Sequence, residues 1–329
     1  MPPTLAVCIT YYNEGRLLTE CLRSLYANTR LPDEVLVYDD ASRDPAESYL
    51  QDFPQVRLMR NEINRGPGYA RDYMIAASTC DYVHLHDTDD IFLPMWCAEI
   101  FREVEAAHPD IVITDVDRVS EVDGHIPRQF HLSKLQPTDS TPLYKAMLES
   151  DIFPAVVTFR RQVGLEIGGH RWREVINMGE DTDFFVRLAL QTNNFICIDQ
   201  KLIRKPERAQ SYSQLYDSQS FEKLYAESGL KLRLLLMPIL PPEEQKSVAS
   251  WLLAFLTTPT VVNPVLVEKA SEYLFSWARG QKITVSSWLP FRILLVRFLG
   301  VRATIRLAHG YQKLLPVNIR RALAKQGLE

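Results

Sequence analysis

Tyr82-Val83-His84-Leu85-His86-Asp87-Thr88-Asp89-Asp90 is the stretch on which the fold reading turns. Tyr82–His86 reads as a short buried strand, and carboxylates begin where it ends. The same arrangement occurs upstream. Leu5–Thr10 reads as a buried strand, and Glu34–Tyr38 reads as a second one that runs directly into Asp39-Asp40. Between them, Glu14–Asn28 carries Leu17, Leu18, Cys21, Leu22 and Leu25 on one helical stripe, and Leu31-Pro32 punctuates the turn. The alternation continues with a short helix at Ala46–Gln51, a strand at Val56–Arg60 and a helix at Gly68–Ser78 after the Gly66-Pro67 turn. A helix at Leu93–Ala107 and a strand at Ile111–Thr114 follow. Strands and helices alternating at this spacing imply an α/β fold, with a mostly parallel sheet flanked by helices. Ligands of such sheets bind beyond the carboxyl ends of the strands, where the acids of this sequence fall.

Residues 115–175 are less regular. Glu121–His125 reads as a hairpin turn, Ile152–Phe159 as a strand and Gly168-Gly169-His170 as a mobile loop, before a helix over Met178–Leu190. From about Leu215 the signals are almost wholly helical. The expected organisation is therefore an α/β unit over residues 1–214 and a helical C-terminal region over 215–329. Ser247–Val267 is uncharged, but Pro259 and Pro264 interrupt it, which favours a buried helix ending near Thr258 over a membrane span.

Composition narrows the class. At 329 residues and 46% hydrophobic, the chain can bury a full core. Cys8, Cys21, Cys80, Cys97 and Cys197 lack metal-type spacing and are odd in number, so reduced thiols are expected. With no signal-peptide pattern at Met1-Pro2-Pro3, the expectation is a cytoplasmic protein, peripheral at most on a membrane's inner face. The net charge of −4 conceals a basic end: Arg279–Glu329 sums to +9. That stretch, with Trp288 and Phe291, fits docking on an anionic membrane surface, and a homodimer contact is the competing reading. No nucleic-acid partner is expected.

Three acidic clusters carry the chemistry. Asp87-x-Asp89 on a tight turn can direct two carboxylates at one hard cation, Mn²⁺ or Mg²⁺, which also takes diphosphate oxygens. Asp39-Asp40 can accept hydrogen bonds from a ligand's N–H or hydroxyl groups. Glu180-Asp181-x-Asp183 opens a helix, and the macrodipole there favours an ionised Asp181 that can take a proton.

Five ordered motifs together resemble family 2 glycosyltransferases: Val7-x-x-Thr10-x-x-Asn13-Glu14; Val37-Tyr38-Asp39-Asp40-Ala41-Ser42-x-Asp44; Asn64-Arg65-Gly66-x-x-x-Ala70-Arg71-Asp72; Leu85-His86-Asp87-Thr88-Asp89-Asp90-x-x-x-Pro94; and Gly179-Glu180-Asp181-Thr182-Asp183. The resemblance covers roughly residues 4–212 and implies a GT-A, Rossmann-like fold in an enzyme of bacterial surface-polysaccharide assembly. It implies that Thr10, Tyr12, Glu14, Asp39, Asp40, Asn64, Gly66, Arg71, Asp87 and Thr88 bind a nucleotide sugar, a UDP-sugar above all. Asp87 and Asp89 would hold the metal and Asp181 would be the catalytic base, giving single-sugar transfer with inversion to a glycan or lipid-linked acceptor. Trp172, Glu180 and Arg208 are candidates for acceptor or diphosphate contacts, with Lys205 an alternative diphosphate clamp.

The sequence departs from the family at His84 and His86, strand positions usually apolar, which are expected in the core or behind the site. Where a His commonly precedes a Ser after the last strand, Arg208 precedes Ser211. No QxxRW stretch is present, which argues against a processive synthase. Gly66-x-Gly68 is no dinucleotide fingerprint, since Arg71 stands at the third glycine position. A nucleotidyltransferase, or a catalytically silent carbohydrate-binding protein, are the other functional classes.

Overall fold

The computed structural model describes residues 1–120, 135, 141–149, 152–171, 179–207, 218–257 and 263–280. The chain divides into two compact units, Met1–Leu215 and Tyr216–Glu329. The hairpin expected at Glu121–His125, the aromatic Trp172, Arg208 and the basic stretch beyond residue 280 lie outside the described residues.

The first unit is built on an eight-stranded sheet of order β3-β2-β1-β4-β7-β6-β8-β5. Its strands are β1 (Leu5–Tyr11), β2 (Glu34–Asp39), β3 (Arg57–Arg60), β4 (Tyr82–Asp87), β5 (Ile91–Phe92), β6 (Ile111–Ser120), β7 (Val157–Arg160) and β8 (Phe195–Glu207). β1, β2, β3 and β4 run parallel. β1 is central, so Leu5, Ala6, Val7, Cys8 and Ile9 are all buried, as expected for a strand covered on both faces. The helices α1 (Arg16–Tyr26), α2 (Pro67–Ala77) and α3 (Trp96–Ala107) supply crossovers. Leu18, Cys21, Leu22 and Leu25 of α1 form its buried stripe, while Leu17 stays at the boundary.

β2 and β3 lie to one side of β1 and β4 to the other, so the strand order reverses between β1 and β4. In register, Thr10 stands beside Asp87 on one side and Tyr38 on the other, and Tyr11 stands beside Asp39. This topological switch point is where open α/β sheets bind ligands.

Several boundaries differ from the sequence reading, each for a local reason. Ala46–Tyr49 is a single 3-10 turn rather than a helix. The helix expected from Leu93 starts at Trp96, because Ile91–Phe92 is held as an edge strand against β8. The strand expected over Ile152–Phe159 opens as a 3-10 turn, Pro154–Val156. Pro154 pre-sets the turn's φ, and the strand begins only at Val157. β6 outruns its expected end at Thr114, because β8 pairs with it as far as Ser120–Glu207 through an irregularity around Asp115. The described residues of this unit also form the helices α4 (Leu143–Glu149), α5 (Arg161–Glu166) and α6 (Glu180–Gln191).

The second unit contains α7 (Ser218–Leu236), α8 (Pro242–Thr257) and α9 (Pro264–Gly280). Leu252 and Leu253 of α8 and Ala270, Leu274 and Ala278 of α9 are buried. The indole of Trp277 donates to Gln245 across α8 and α9 at 3.1 Å. Arg233 lies over the Trp251 ring at 3.8 Å. Among the described residues, no helix is long and apolar enough to cross a membrane.

Candidate active site

The site grows from the ends of β1, β2 and β4. Arg71, on α2, is the hub. Its guanidinium is buried, and it donates from Nη2 to Asp87 Oδ1 at 2.8 Å and from Nη1 to Glu180 Oε1 at 3.1 Å. Thr10 donates its hydroxyl to the same Asp87 oxygen at 3.2 Å. One arginine thus ties β4 to the start of α6, across 109 residues of sequence. Burial opposes charge on Arg71, but Asp87, Glu180 and Asp181 outweigh it and keep the guanidinium protonated. Burial also acts against the Asp87 carboxylate, yet Arg71 and then Lys205 pull its pKa down to about 2. Asp87 is therefore a fixed anion.

The neighbouring acids behave oppositely. Glu14 is pushed up to about 7, first by burial and then, against a hydrogen bond with Thr88, by the charges of Asp89 and Asp87. Asp181 is raised to about 7, first by burial and then by the Glu180 carboxylate, against the pull of Arg71. This corrects the expectation that the helix dipole keeps Asp181 ionised. The dipole and the Thr182 N–H, which donates to Asp181 Oδ1 at 2.7 Å, are outweighed by burial and like charge. Carboxylates whose environments push their pKa values apart divide into a permanent anion and a proton acceptor.

Asp39 and Asp40 are committed to their own chain. Asp39 is fully buried and accepts from Ser42 N at 2.8 Å and Ala46 N at 3.0 Å. Asp40 accepts from Gly66 N at 2.6 Å and Arg65 N at 2.9 Å. It thereby holds the loop before α2 against β2. Between these two clamps Ala41 is forced to φ 63°, a left-handed conformation that costs a non-glycine residue about 1–2 kcal/mol. A cleft of about 480 Å³, lined by Ala41, Arg60, Asn61 and Glu62, opens beside this turn. Of the other candidates, Tyr12 and Asn64 are exposed, Gly66 carries φ 85°, and the buried Thr88 hydroxyl donates to Thr10 O.

His84 and His86 are fully buried beside Phe92 and Trp96. His86 Nε2 lies 3.2 Å from the Asp90 carbonyl, which can only accept, so this nitrogen carries the proton. Burial lowers both imidazole pKa values, leaving the rings neutral. His86 Nδ1 then accepts from His84 Nε2–H at 3.2 Å, and His84 Nδ1 accepts from the Thr158 hydroxyl at 3.0 Å. The unusual histidines thus form a directed chain beneath the Asp87–Asp90 turn. Lys205 closes that turn from β8, donating to both oxygens of buried Asp90 at 3.0 and 3.1 Å.

The structure also brings together residues that the sequence reading left apart. Asp183 is fully buried and accepts from Arg171 Nε at 3.0 Å and Arg187 Nε at 2.9 Å. Removing one member of such a buried set costs about 3–5 kcal/mol, because the remaining charges lose their compensation. Asp183→Ala is expected to destabilise the first unit by about this amount, read as a lowered urea midpoint. An unchanged midpoint would show that the arginines find water instead. Gly168-Gly169-His170, expected to be mobile, is fastened. His170 N and Nδ1 both reach Asp72 Oδ1, at 2.8 and 2.7 Å, and Arg187 donates to Ile167 O and Gly169 O.

Residues 6–164 match glycosyl transferase family 2. The chain is 28% identical over 188 residues to succinoglycan biosynthesis protein ExoO of Rhizobium meliloti (strain 1021), covering 54% of this chain and 53% of that protein. It thus spans about half the length of this curated relative. In fold it is similar to S. aureus TarS 1-349 in complex with UDP, with a TM-score of 0.57 at 15% identity over 95% of this chain and 93% of that one. It is also similar to the mannosyltransferase PcManGT of Pyrobaculum calidifontis in complex with GDP-Man and Mn2+, with a TM-score of 0.54 at 17% identity over 95% and 88%. Residues 6–164, just under half of the chain, are thus similar to glycosyl transferase family 2, the fold is similar to those of TarS and PcManGT, and the acids at the ends of β1, β2 and β4 gather at the β1/β4 switch point.

Proposed function

We propose that this enzyme moves one sugar from a nucleoside-diphosphate sugar, a UDP-sugar above all, to a hydroxyl of a glycan or lipid-linked acceptor, with inversion at the anomeric carbon. The observation that carries the reading is the Asp87–Arg71–Glu180 linkage, which joins a permanent anion at the switch point to the helix start bearing Asp181. The cleft beside Asp40 is of a size that small ligands occupy, and it suits the nucleoside. TarS and PcManGT, which share the fold, were solved with nucleotides.

Asp87 and Asp89 fit a divalent cation. They offer hard carboxylate oxygens from one turn, and Mg²⁺ or Mn²⁺ characteristically completes its shell with water and substrate phosphates. Among the described residues, no three side chains converge as a full cage, so such an ion would be shared with the diphosphate. Bound there, it would neutralise charge on the departing nucleotide.

The chain's own residues supply the rest. Arg71, partly spent on Asp87, adds positive charge at the diphosphate side. Asp181, with its pKa near neutrality, takes the proton of the attacking acceptor hydroxyl. With one base and a single in-line displacement, an α-linked donor yields a β-linked product. A panel of UDP-glucose, UDP-galactose, UDP-N-acetylglucosamine and GDP-mannose, read by nucleotide release, identifies the donor. NMR of the anomeric proton in the transfer product then gives the stereochemistry, and a retained configuration rejects the single displacement.

The +9 stretch from Arg279 supports a role as an anionic-membrane contact, since each basic residue near such a surface contributes about 1 kcal/mol. The full chain should sediment with phosphatidylserine vesicles at low salt and be released at high salt. Indifference to the vesicles would leave self-association as the use of this segment.

A further inference from the structure

The loop before α6 contains a second constellation, which no step above uses. His170 is buried and its ring stacks on Phe184 of α6, with centroids 4.1 Å apart and planes at 5°. Its Nδ1 and backbone N–H both meet Asp72 Oδ1 of α2. Gly169 approaches so closely that an added Cβ would sit 2.7 Å from that same Asp72 oxygen, and its φ is 73°. Arg187 of α6 holds the Gly169 carbonyl at 2.6 Å while also pairing with Asp183. The imidazole is thus a rigid spacer with one edge bonded to α2 and one face laid on α6. Asp72 follows Arg71 directly in sequence, and Phe184 lies one helical turn beyond Glu180. The spacing fixed by His170 is the spacing across which Arg71 reaches Glu180.

We propose that Asp72 and His170 form a positioning pair that holds Glu180 and Asp181, at the start of α6, in register with Arg71. His170 touches no reacting atom in this scheme. It acts through Phe184 and Asp72, and it is neutral, because burial lowers its pKa despite Asp72. With Nδ1–H committed to Asp72, the buried Nε2 is left as a lone pair that accepts no hydrogen bond from the described residues. The pair therefore serves geometry rather than proton transfer. This inference rests on Asp181 being the base.

Two substitutions separate the two contacts. His170→Phe keeps the stack on Phe184 but removes the bond to Asp72. His170→Asn gives up the stack but restores a donor near the Nδ1 position. Arg71 remains held by Asp87 in both, so UDP affinity by calorimetry should stay within twofold. For the fastest-released donor of the panel, His170→Phe should lower kcat at least tenfold, and His170→Asn, which keeps a donor to Asp72 without the stack, should lower it by clearly less. Because Glu180, Arg71 and Asp87 set the field at Asp181, the acid limb of the His170→Phe profile should also move. A purely structural role would instead lower the folded fraction and UDP binding together, leave the acid limb in place, and gain nothing from asparagine. That pattern, or a His170→Phe kcat within twofold of native, overturns the proposal. If Asp181→Asn keeps full turnover, the base assignment fails instead. The crystal structure of His170→Phe then still reads the pair directly, since an Arg71–Glu180 contact persisting at 3.1 Å would refute the spacer.

Discussion

Asp181→Asn is expected to lower kcat by about 10²-fold or more while UDP binds with nearly native affinity. The amide keeps the carboxylate's shape and can still accept the Thr182 N–H, which now reaches Asp181 at 2.7 Å, but it cannot take a proton. The native enzyme should also show a diagnostic acid limb. Burial and Glu180 raise Asp181 to about 7, so below that pH the side chain is mostly protonated and cannot act as a base. The kcat/KM of the native protein should therefore fall about tenfold per pH unit below 7 and level off above it, since this parameter reports the free enzyme. In Asp181→Asn the residual rate should lose that limb. If UDP affinity falls in step with turnover, Asp181 belongs to the donor site. If the limb survives in the asparagine variant, another group, with Glu14 the nearest match in pKa, is the titrating one.

The parts of the molecule that could be read in advance are those where local pattern and chemistry coincide. β1, β2 and β4 are short apolar runs followed at once by acids, and their central position in a parallel sheet leaves little freedom for another arrangement. The second half of the sheet gives weaker signals. β8 contains Lys201, Arg204, Lys205 and Pro206, a composition that hides a thirteen-residue strand, and it is recognisable only through its pairing with β6. Asp72 meeting His170 is likewise a contact across 98 residues, for which no local period exists. The raised pKa of Asp181 is illegible in the sequence for the same reason. A helix start is visible in sequence, but the burial and the Glu180–Arg71 geometry that overrule it are products of the tertiary fold. Lys205 is an intermediate case: its charge suggested a diphosphate clamp, whereas the structure shows it spent on Asp90, the residue that shapes the Asp87–Asp90 turn. His84 and His86 show how two residues with metal-ligand chemistry become core elements once every ring nitrogen has a partner.

The metal assignment makes the other large prediction. Asp87 is already engaged by Arg71 and Thr10 through Oδ1, so replacing it would disturb α2 and β1 as well as any cation. Asp89 is the cleaner probe. It lies within the electrostatic reach of Glu14 and Lys205, and it is half-exposed at the mouth of the turn. A cation acting on the departing diphosphate is worth several kcal/mol of transition-state stabilisation, and each 1.36 kcal/mol is tenfold in rate. Asp89→Ala should therefore cost about 10²–10³-fold in turnover while thermal stability stays near native. EDTA should abolish native activity to a similar extent, and added Mn²⁺ or Mg²⁺ should restore it. Calorimetry supplies the independent reading: Mn²⁺ should bind the native protein more tightly when UDP is present, because the nucleotide's phosphates would add oxygen ligands to the ion, and this enhancement should vanish in Asp89→Ala. Full activity in EDTA would instead assign neutralisation of the diphosphate to Arg71. In that case Asp87 would act as the anion that holds this cation in place.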